Sequence, residues 1–180
     1  MNELTLLLFP ALLLVLLIWF ISTKNRFTRL EYLIKESWAN VDVSLRRRHD
    51  LIPNLVETVK GYAAHERELL ERLSHARENA IQSPSANSET EVSRLLSSVI
   101  MRSEAYPALK SSDAFTQLMG ELVNTEDRIA AARRFYNANV RDYNISLESF
   151  PSSLLAQGRL PKEMYEIDSV QIRLVPQVSL

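Results

Sequence analysis

Residues 4–21 read LTLLLFPALLLVLLIWFI, eighteen consecutive residues without a charged side chain. At 1.5 Å per residue, a helix of that length covers roughly 27 Å, close to the thickness of the hydrocarbon core of a bilayer. Trp19 and Phe20 lie at the end of the run, and aromatic side chains favour the headgroup region. The sequence therefore predicts an N-terminal transmembrane anchor, residues 1–23.

Two other structures for this run, a buried core helix and a cleaved secretory signal, fit the flanking residues less well. A signal peptide has a basic start and small residues before its cleavage site, whereas this chain begins MNE and leaves the run through STK. Basic residues follow the span at Lys24, Arg26, Arg29 and Lys35, and none precedes it. The positive-inside rule then predicts a single-pass protein of the inner membrane, with its N-terminus outside and its C-terminal region in the cytoplasm.

The composition restricts both the fold and the chemistry. Three glycines in 180 residues are too few for a fold rich in tight hairpins, so an all-α fold is favoured. The 21 basic and 22 acidic residues are mixed along the chain, which argues against a nucleic-acid partner. The absence of cysteine excludes disulfides, thiolate nucleophiles and cysteine-ligated metals.

Beyond the span, apolar residues recur at helical spacing and predict three to four further helical segments. The anchor helix is expected to continue through the series Phe27, Leu30, Ile34, Trp38, Val41 and Leu45. A turn is expected at Asp50–Pro53, because aspartate caps helices and proline suits a first turn. A second helix is then expected over 52–80, a third near 92–100, and a fourth of some 36 residues over 115–150.

Breaker residues separate these helices. The polar stretch QSPSANS, residues 82–88, predicts a turn, and short turns make successive helices antiparallel neighbours. Past Phe150 the chain loses helical periodicity, and VQIRLV, residues 170–175, alternates weakly. The prediction is therefore an all-α protein with one transmembrane helix, a long antiparallel helical bundle over 24–150, and an extended or partly disordered tail over 151–180.

Two stretches carry a family resemblance. VDVSLRRRHDLIPNLVETVKGYAAHERELL, residues 41–70, and EDRIAAARRFYNANVRDYNISLESFPSSLLA, residues 126–156, resemble the LemA family in that order, as does the closing VPQVSL. The resemblance covers essentially the whole chain. It implies one N-terminal transmembrane helix and a helical soluble domain, and it brings no established biochemical activity and no catalytic residues.

A charged cluster at the expected turn is a candidate surface for an acidic protein partner. Basic side chains at the end of a helix also cap its last carbonyls, so a purely structural role is the alternative. The members of the predicted surface are Arg46, Arg47, Arg48, His49, Asp50, Asn54, Glu57 and Lys60.

Glu66 lies on the apolar face of its predicted helix, where an unpaired carboxylate is costly. We expect it to form a structural pair with Arg128 or Arg133 that fixes helix register. His65-Glu66 begins like the zinc motif HExxH, but Leu69 stands where the second histidine is required. No metal or cofactor site is predicted.

These features predict a noncatalytic, membrane-anchored helical scaffold or adaptor that meets a protein partner at the cytoplasmic face. Two alternatives stay open at this point. One is an enzymatic or metal-dependent activity in a groove between helices, using Glu66 and His65. The other is an envelope- or lipid-sensing regulator that uses the basic segment after the span. Association between copies of the chain is also possible.

Overall fold

The structure, a computed structural model, describes residues 3–165. All regular secondary structure in that range is helical, which confirms the all-α prediction for it. The predictions for residues 166–180, including VQIRLV, lie outside the described residues. The α-helices are α1 Glu3–Lys60, α2 Arg67–Gln82, α3 Ala86–Ser103, α4 Pro107–Lys110 and α5 Asp113–Glu148. Short 3-10 helices occupy Ala64–Glu66 and Ser152–Leu155.

Helix α1 carries the apolar run and continues far beyond it. The predicted continuation of that helix past residue 24 is therefore confirmed. From Leu8 to Ile21 the side chains of this run are largely exposed. Within residues 3–165 it is the one helix whose length and composition would let it cross a membrane.

The turn predicted at Asp50–Pro53 is wrong, because α1 runs through Pro53 without interruption. A proline inside a helix leaves the carbonyl four residues earlier without its usual donor. Here Arg77 of α2 donates to that carbonyl, which belongs to His49. The chain turns instead after Lys60, where the N–H groups of Tyr62 and Ala63 both bond to the carbonyl of Val59.

The predicted second helix consequently consists of two parts, the last turns of α1 and the whole of α2. The turn predicted in QSPSANS is confirmed, since α2 ends at Gln82 and α3 begins at Ala86. Ser85 caps α3 in a reciprocal arrangement with Ser88, which satisfies two backbone N–H groups. Helix α5 has 36 residues, the predicted length.

The described residues fall into two compact units. The first joins the chain up to Val41 with Ala132–Met164, and the second comprises Asp42–Ala131 with Tyr165. The predicted bundle, residues 24–150, contributes to both.

Each unit has its own apolar core. The core of the second unit is built from α1, α2, α3, α4 and α5, with fully buried members that include Ile52, Leu55, Leu73, Val92, Leu109 and Leu122. In the first unit, Phe27 and Ile34 of α1 pack with Val140 and Tyr143 of α5. Helices α2 and α3 also pack directly on each other.

Candidate functional site

A fully buried arginine lies at the centre of the second unit. The side chain of Arg48 has no exposed surface, and its guanidinium is held by side chains of two other helices. Nη2 pairs with the carboxylate of Glu89, while Nη1 donates to Ser93 Oγ at 2.7 Å and to Glu126 Oε1 at 3.1 Å. One residue of α1 thus bonds to α3 and to α5.

Local helix geometry places these partners. Glu89 and Ser93 are four residues apart on α3, so both face the same side of that helix. Glu89 also lies in the first turn of α3, where the helix dipole favours a negative charge. The arrangement therefore stabilises an ionised carboxylate inside the protein.

His49 completes this group, which we call the Arg48 cluster: Arg48, His49, Glu89, Ser93 and Glu126. The Nε2 atom of His49 lies 3.3 Å from the Glu89 carboxylate, and the imidazole is also buried. Burial acts to raise the pKa of Glu89, but the hydrogen bond from His49 and the charges of Arg48 and His49 outweigh it. The net result is a Glu89 pKa below its ordinary value.

The Arg48 cluster links α1 to α3 and α5 through side chains that are largely buried. Glu89 is buried, and its carboxylate is engaged by the side chains of Arg48 and His49. Among the described residues, no group of three histidine, aspartate or glutamate side chains is placed to hold a metal ion.

The predicted partner surface is therefore smaller than expected, since Arg48 and His49 belong to the interior. Helical periodicity turns them inward while their neighbours on α1 face outward. Of the neighbours, Arg46 pairs with Asp42 at 2.9 Å, and Arg47 pairs with Glu121 of α5. The exposed members are Arg46, Arg47, Asp50, Asn54, Glu57 and Lys60.

Glu66 has a cation partner, Arg102, which the sequence did not single out. Its carboxylate accepts from Arg102 at 2.8 Å and from the hydroxyl of Tyr106 at 3.2 Å. Arg128 instead donates to Asn124 within α5. Arg102 and Tyr106 lie at the end of α3 and just after it, beside the 3-10 turn that carries Glu66. Arg102 is therefore the cation next to Glu66, whereas Arg128 is engaged within α5.

The hydroxyl of Tyr106 is affected by the same contact. Desolvation raises the pKa of Tyr106, and the hydrogen bond to the negatively charged Glu66 raises it further. Tyr106 therefore stays a donor to Glu66 at neutral pH. The alternative of a catalytic Glu66 has little support from this geometry, since both carboxylate oxygens are engaged and His65 lies at the exposed surface.

The Arg48 cluster could have been predicted from charged residues at core positions of the helical repeat, which a search for apolar residues alone does not consider. Arg48 falls between Leu45 and Ile52 at steps of three and four, on the buried face of α1. Glu89 precedes Val92 by three residues on the buried face of α3. Charged residues at core positions of different helices indicate a buried ion pair.

Known proteins resemble this chain along most of its length. The sequence model of the LemA family matches residues 37–180. Magnetosome protein MamQ of Magnetospirillum gryphiswaldense is 24% identical, with 66% of this chain and 54% of that protein aligned. Magnetosome protein MamQ 2 of Paramagnetospirillum magneticum is 25% identical over 73% of this chain and 60% of that protein.

A further relative is Protein LemA of Metamycoplasma hominis, which is 22% identical over 77% of this chain and 65% of its own length. The chain thus spans little more than half the length of the magnetosome relatives that it matches. The family match covers well over half of the chain and includes both stretches that carry the resemblance. The chain belongs to the LemA family.

Proposed function

We propose that this chain is a single-pass membrane protein whose antiparallel helical bundle serves as a noncatalytic scaffold or adaptor for a partner protein at the cytoplasmic face of the inner membrane. The observation that carries the proposal is the structure of α1. Residues 8–21 of this helix are apolar and largely exposed, and its later residues, including Val41, Ile52 and Leu55, are core residues. One continuous helix thus joins the proposed anchor to folded protein.

The charge distribution supports the orientation. Lys24, Arg26 and Arg29 directly follow the apolar run and are exposed or nearly so, and no lysine or arginine precedes it. Basic residues close to a span are retained on the cytoplasmic side. The folded region then faces the cytoplasm.

An exposed stripe of α1 in the second unit is the proposed contact surface. Arg46, Asp50, Asn54 and Glu57 follow each other at steps of four, four and three, so they share one face of the helix. The exposed Val43 extends this face by one turn and adds an apolar contact. A mixed polar and apolar helix face is suited to a protein partner.

Membrane insertion and orientation are tested together. The full chain with a C-terminal epitope tag is expected to stay in the membrane after alkaline carbonate extraction. In spheroplasts the tag should resist added protease until the membrane is opened with detergent. Release by carbonate would overturn the anchor, and digestion of the tag in intact spheroplasts would overturn the orientation.

The contact surface is tested by charge reversal in intact cells. Arg46 and Arg67 are matched, because each is exposed and each pairs with an acidic residue four positions away on its own helix. Proximity labelling from the C-terminal region should lose a specific set of proteins with Arg46→Glu and retain it with Arg67→Glu. Equal labelling by both variants would contradict the proposed surface.

A further inference from the structure

In the first unit, the contacts between α1 and α5 fix the relative direction of the two helices. The rings of Trp38 and Tyr136 have centroids 5.2 Å apart, and Asn139 Nδ2 lies 3.3 Å from Ser37 Oγ. Further along α5, Tyr143 packs against the ring of Phe27 with centroids 6.3 Å apart. Partners on α1 move back toward the N-terminus as α5 proceeds, so the two helices are antiparallel in this unit.

This register brings the end of α5 to the end of the apolar run. Tyr143 lies opposite the Phe27 turn of α1, and Phe150 follows seven residues later, roughly 10 Å further along the helix direction. That distance corresponds to the level of residues 20–24 on α1. The burial of Thr23 agrees, because something must cover α1 at this level within the unit.

The segment after α5 is fixed on one side and exposed on the other. Leu155 and Ala156 pack on the core that contains Phe27, and the guanidinium of Arg159 lies 4.8 Å above the Phe27 ring. Phe150 and Leu154 point away from this core and are 81% and 64% exposed. Two large apolar side chains exposed close together in the sequence, on a segment held in place, suit a contact surface.

The charges around Phe150 suit an anionic lipid surface. Lys24, Arg26 and Arg29 are exposed on the adjacent turns of α1, and Lys24 also lies 5.2 Å from the centroid of the Phe20 ring. Glu148 is an exposed acidic residue of α5 near the same level. Asp142, beside Tyr143, is also exposed, so the three basic residues outnumber two acidic ones and would contact lipid phosphates.

We infer that Phe150 and Leu154 insert into the headgroup region of the bilayer beside the apolar run of α1, giving the first unit a second contact with the membrane. The inference rests on the proposed function, since it requires α1 to be a membrane anchor. Aromatic and aliphatic side chains next to basic ones are the usual composition of such interfacial contacts. The contact would hold the membrane-proximal end of α5 against the lipid surface.

Single labels can test the inference, because the chain contains no cysteine. The full chain with Phe150→Cys, Ile145→Cys or Phe135→Cys is labelled with the environment-sensitive fluorophore NBD. Each is reconstituted into vesicles of phosphatidylcholine and phosphatidylglycerol with nitroxide-labelled lipid. Phe135 is a matched control, being 71% exposed on α5 but beside the residue that packs on Trp38, roughly 25 Å from the end of the apolar run. A label at Leu14→Cys, within the apolar run, measures whether the anchor itself lies in the bilayer.

We expect quenching by the lipid nitroxide to fall in the order 150, 145, 135, with a several-fold difference between the first and the last. Equal, weak quenching at 150 and 135 would overturn the lipid contact. A blue-shifted but unquenched label at 150 would also overturn it, since a second copy of the chain would then cover the patch. An unquenched label at Leu14 would overturn the anchor and the proposed function. Quenching at Leu14 without quenching at 150 would overturn the second membrane contact and leave the anchor standing.

Discussion

The Nε atom of Arg77 on α2 donates a hydrogen bond of 2.5 Å to the carbonyl of His49 on α1. In an uninterrupted helix that carbonyl accepts from the N–H four residues later, but residue 53 is a proline and has none. A side chain from a neighbouring helix thus supplies the donor that the backbone lacks. The contact explains how α1 passes Pro53 as an α-helix.

The first prediction is that Pro53 and Arg77 are energetically coupled. Arg77→Met should lower the free energy of unfolding by about 1 kcal/mol, because the His49 carbonyl loses its donor. In a Pro53→Ala background the loss should be smaller, since alanine at that position supplies a backbone N–H. Urea unfolding of the micelle-bound full chain, followed by circular dichroism, gives the coupling. The control Arg72→Met, at an exposed position of α2, should change the free energy of unfolding little. Equal losses of stability for Arg77→Met in both backgrounds would disprove the coupling.

The second prediction concerns the ion pair in the Arg48 cluster. Arg48→Met alone should lower the free energy of unfolding by about 3–5 kcal/mol, because it leaves the Glu89 carboxylate buried without its main cation. Adding Glu89→Leu should recover much of that loss, as a buried pair replaced by apolar side chains is often tolerated. The same urea titration measures both. A double variant as unstable as the sum of the two single ones would show that the pair is not coupled.

The third prediction is a loss of stability in acid that depends on Glu89. Its pKa is lowered on folding, so its contribution is complete above the ordinary value of 4.5 and is lost as the pH falls through the lower, folded value. Thermal melting of wild type and Glu89→Gln should therefore differ most near neutral pH and converge at lower pH. A constant difference between the two proteins across that range would rule out this linkage.

Apolar periodicity was sufficient to predict the length of α5 and most of the interior face of α1, although Trp38 of the same series is 48% exposed. Phe27, Ile34 and Val41 are all buried, as their spacing requires. Pro53 misled the prediction, because proline normally ends or begins a helix and its compensation by Arg77 depends on a residue 24 positions away in the sequence. A tertiary contact of this kind leaves no local pattern.

The local sequence pattern was also insufficient to predict which side chain pairs with a charged residue on an apolar helix face. A carboxylate on an apolar face predicts that Glu66 has a cation, and it has one, but choosing Arg102 requires the position of the turn after Lys60. Moving that turn by about ten residues changes which part of α3 lies beside Glu66. The prediction of Arg128 or Arg133 followed from the misplaced turn at Asp50–Pro53.

The last prediction distinguishes these partners by double-mutant cycles. Glu66→Gln and Arg102→Met should couple by about 0.2–1 kcal/mol, the range for exposed ion pairs, because Arg102 is largely exposed even though Glu66 is mostly covered. Glu66→Gln and Arg128→Met should instead add within about 0.5 kcal/mol, as expected of residues that share no contact. Glu66→Leu should also lower the melting temperature, since it leaves the Tyr106 hydroxyl without its acceptor. Coupling to Arg128 in place of Arg102 would mean that the turn after Lys60 lies elsewhere in solution. The register of α2 against α3 would then also differ.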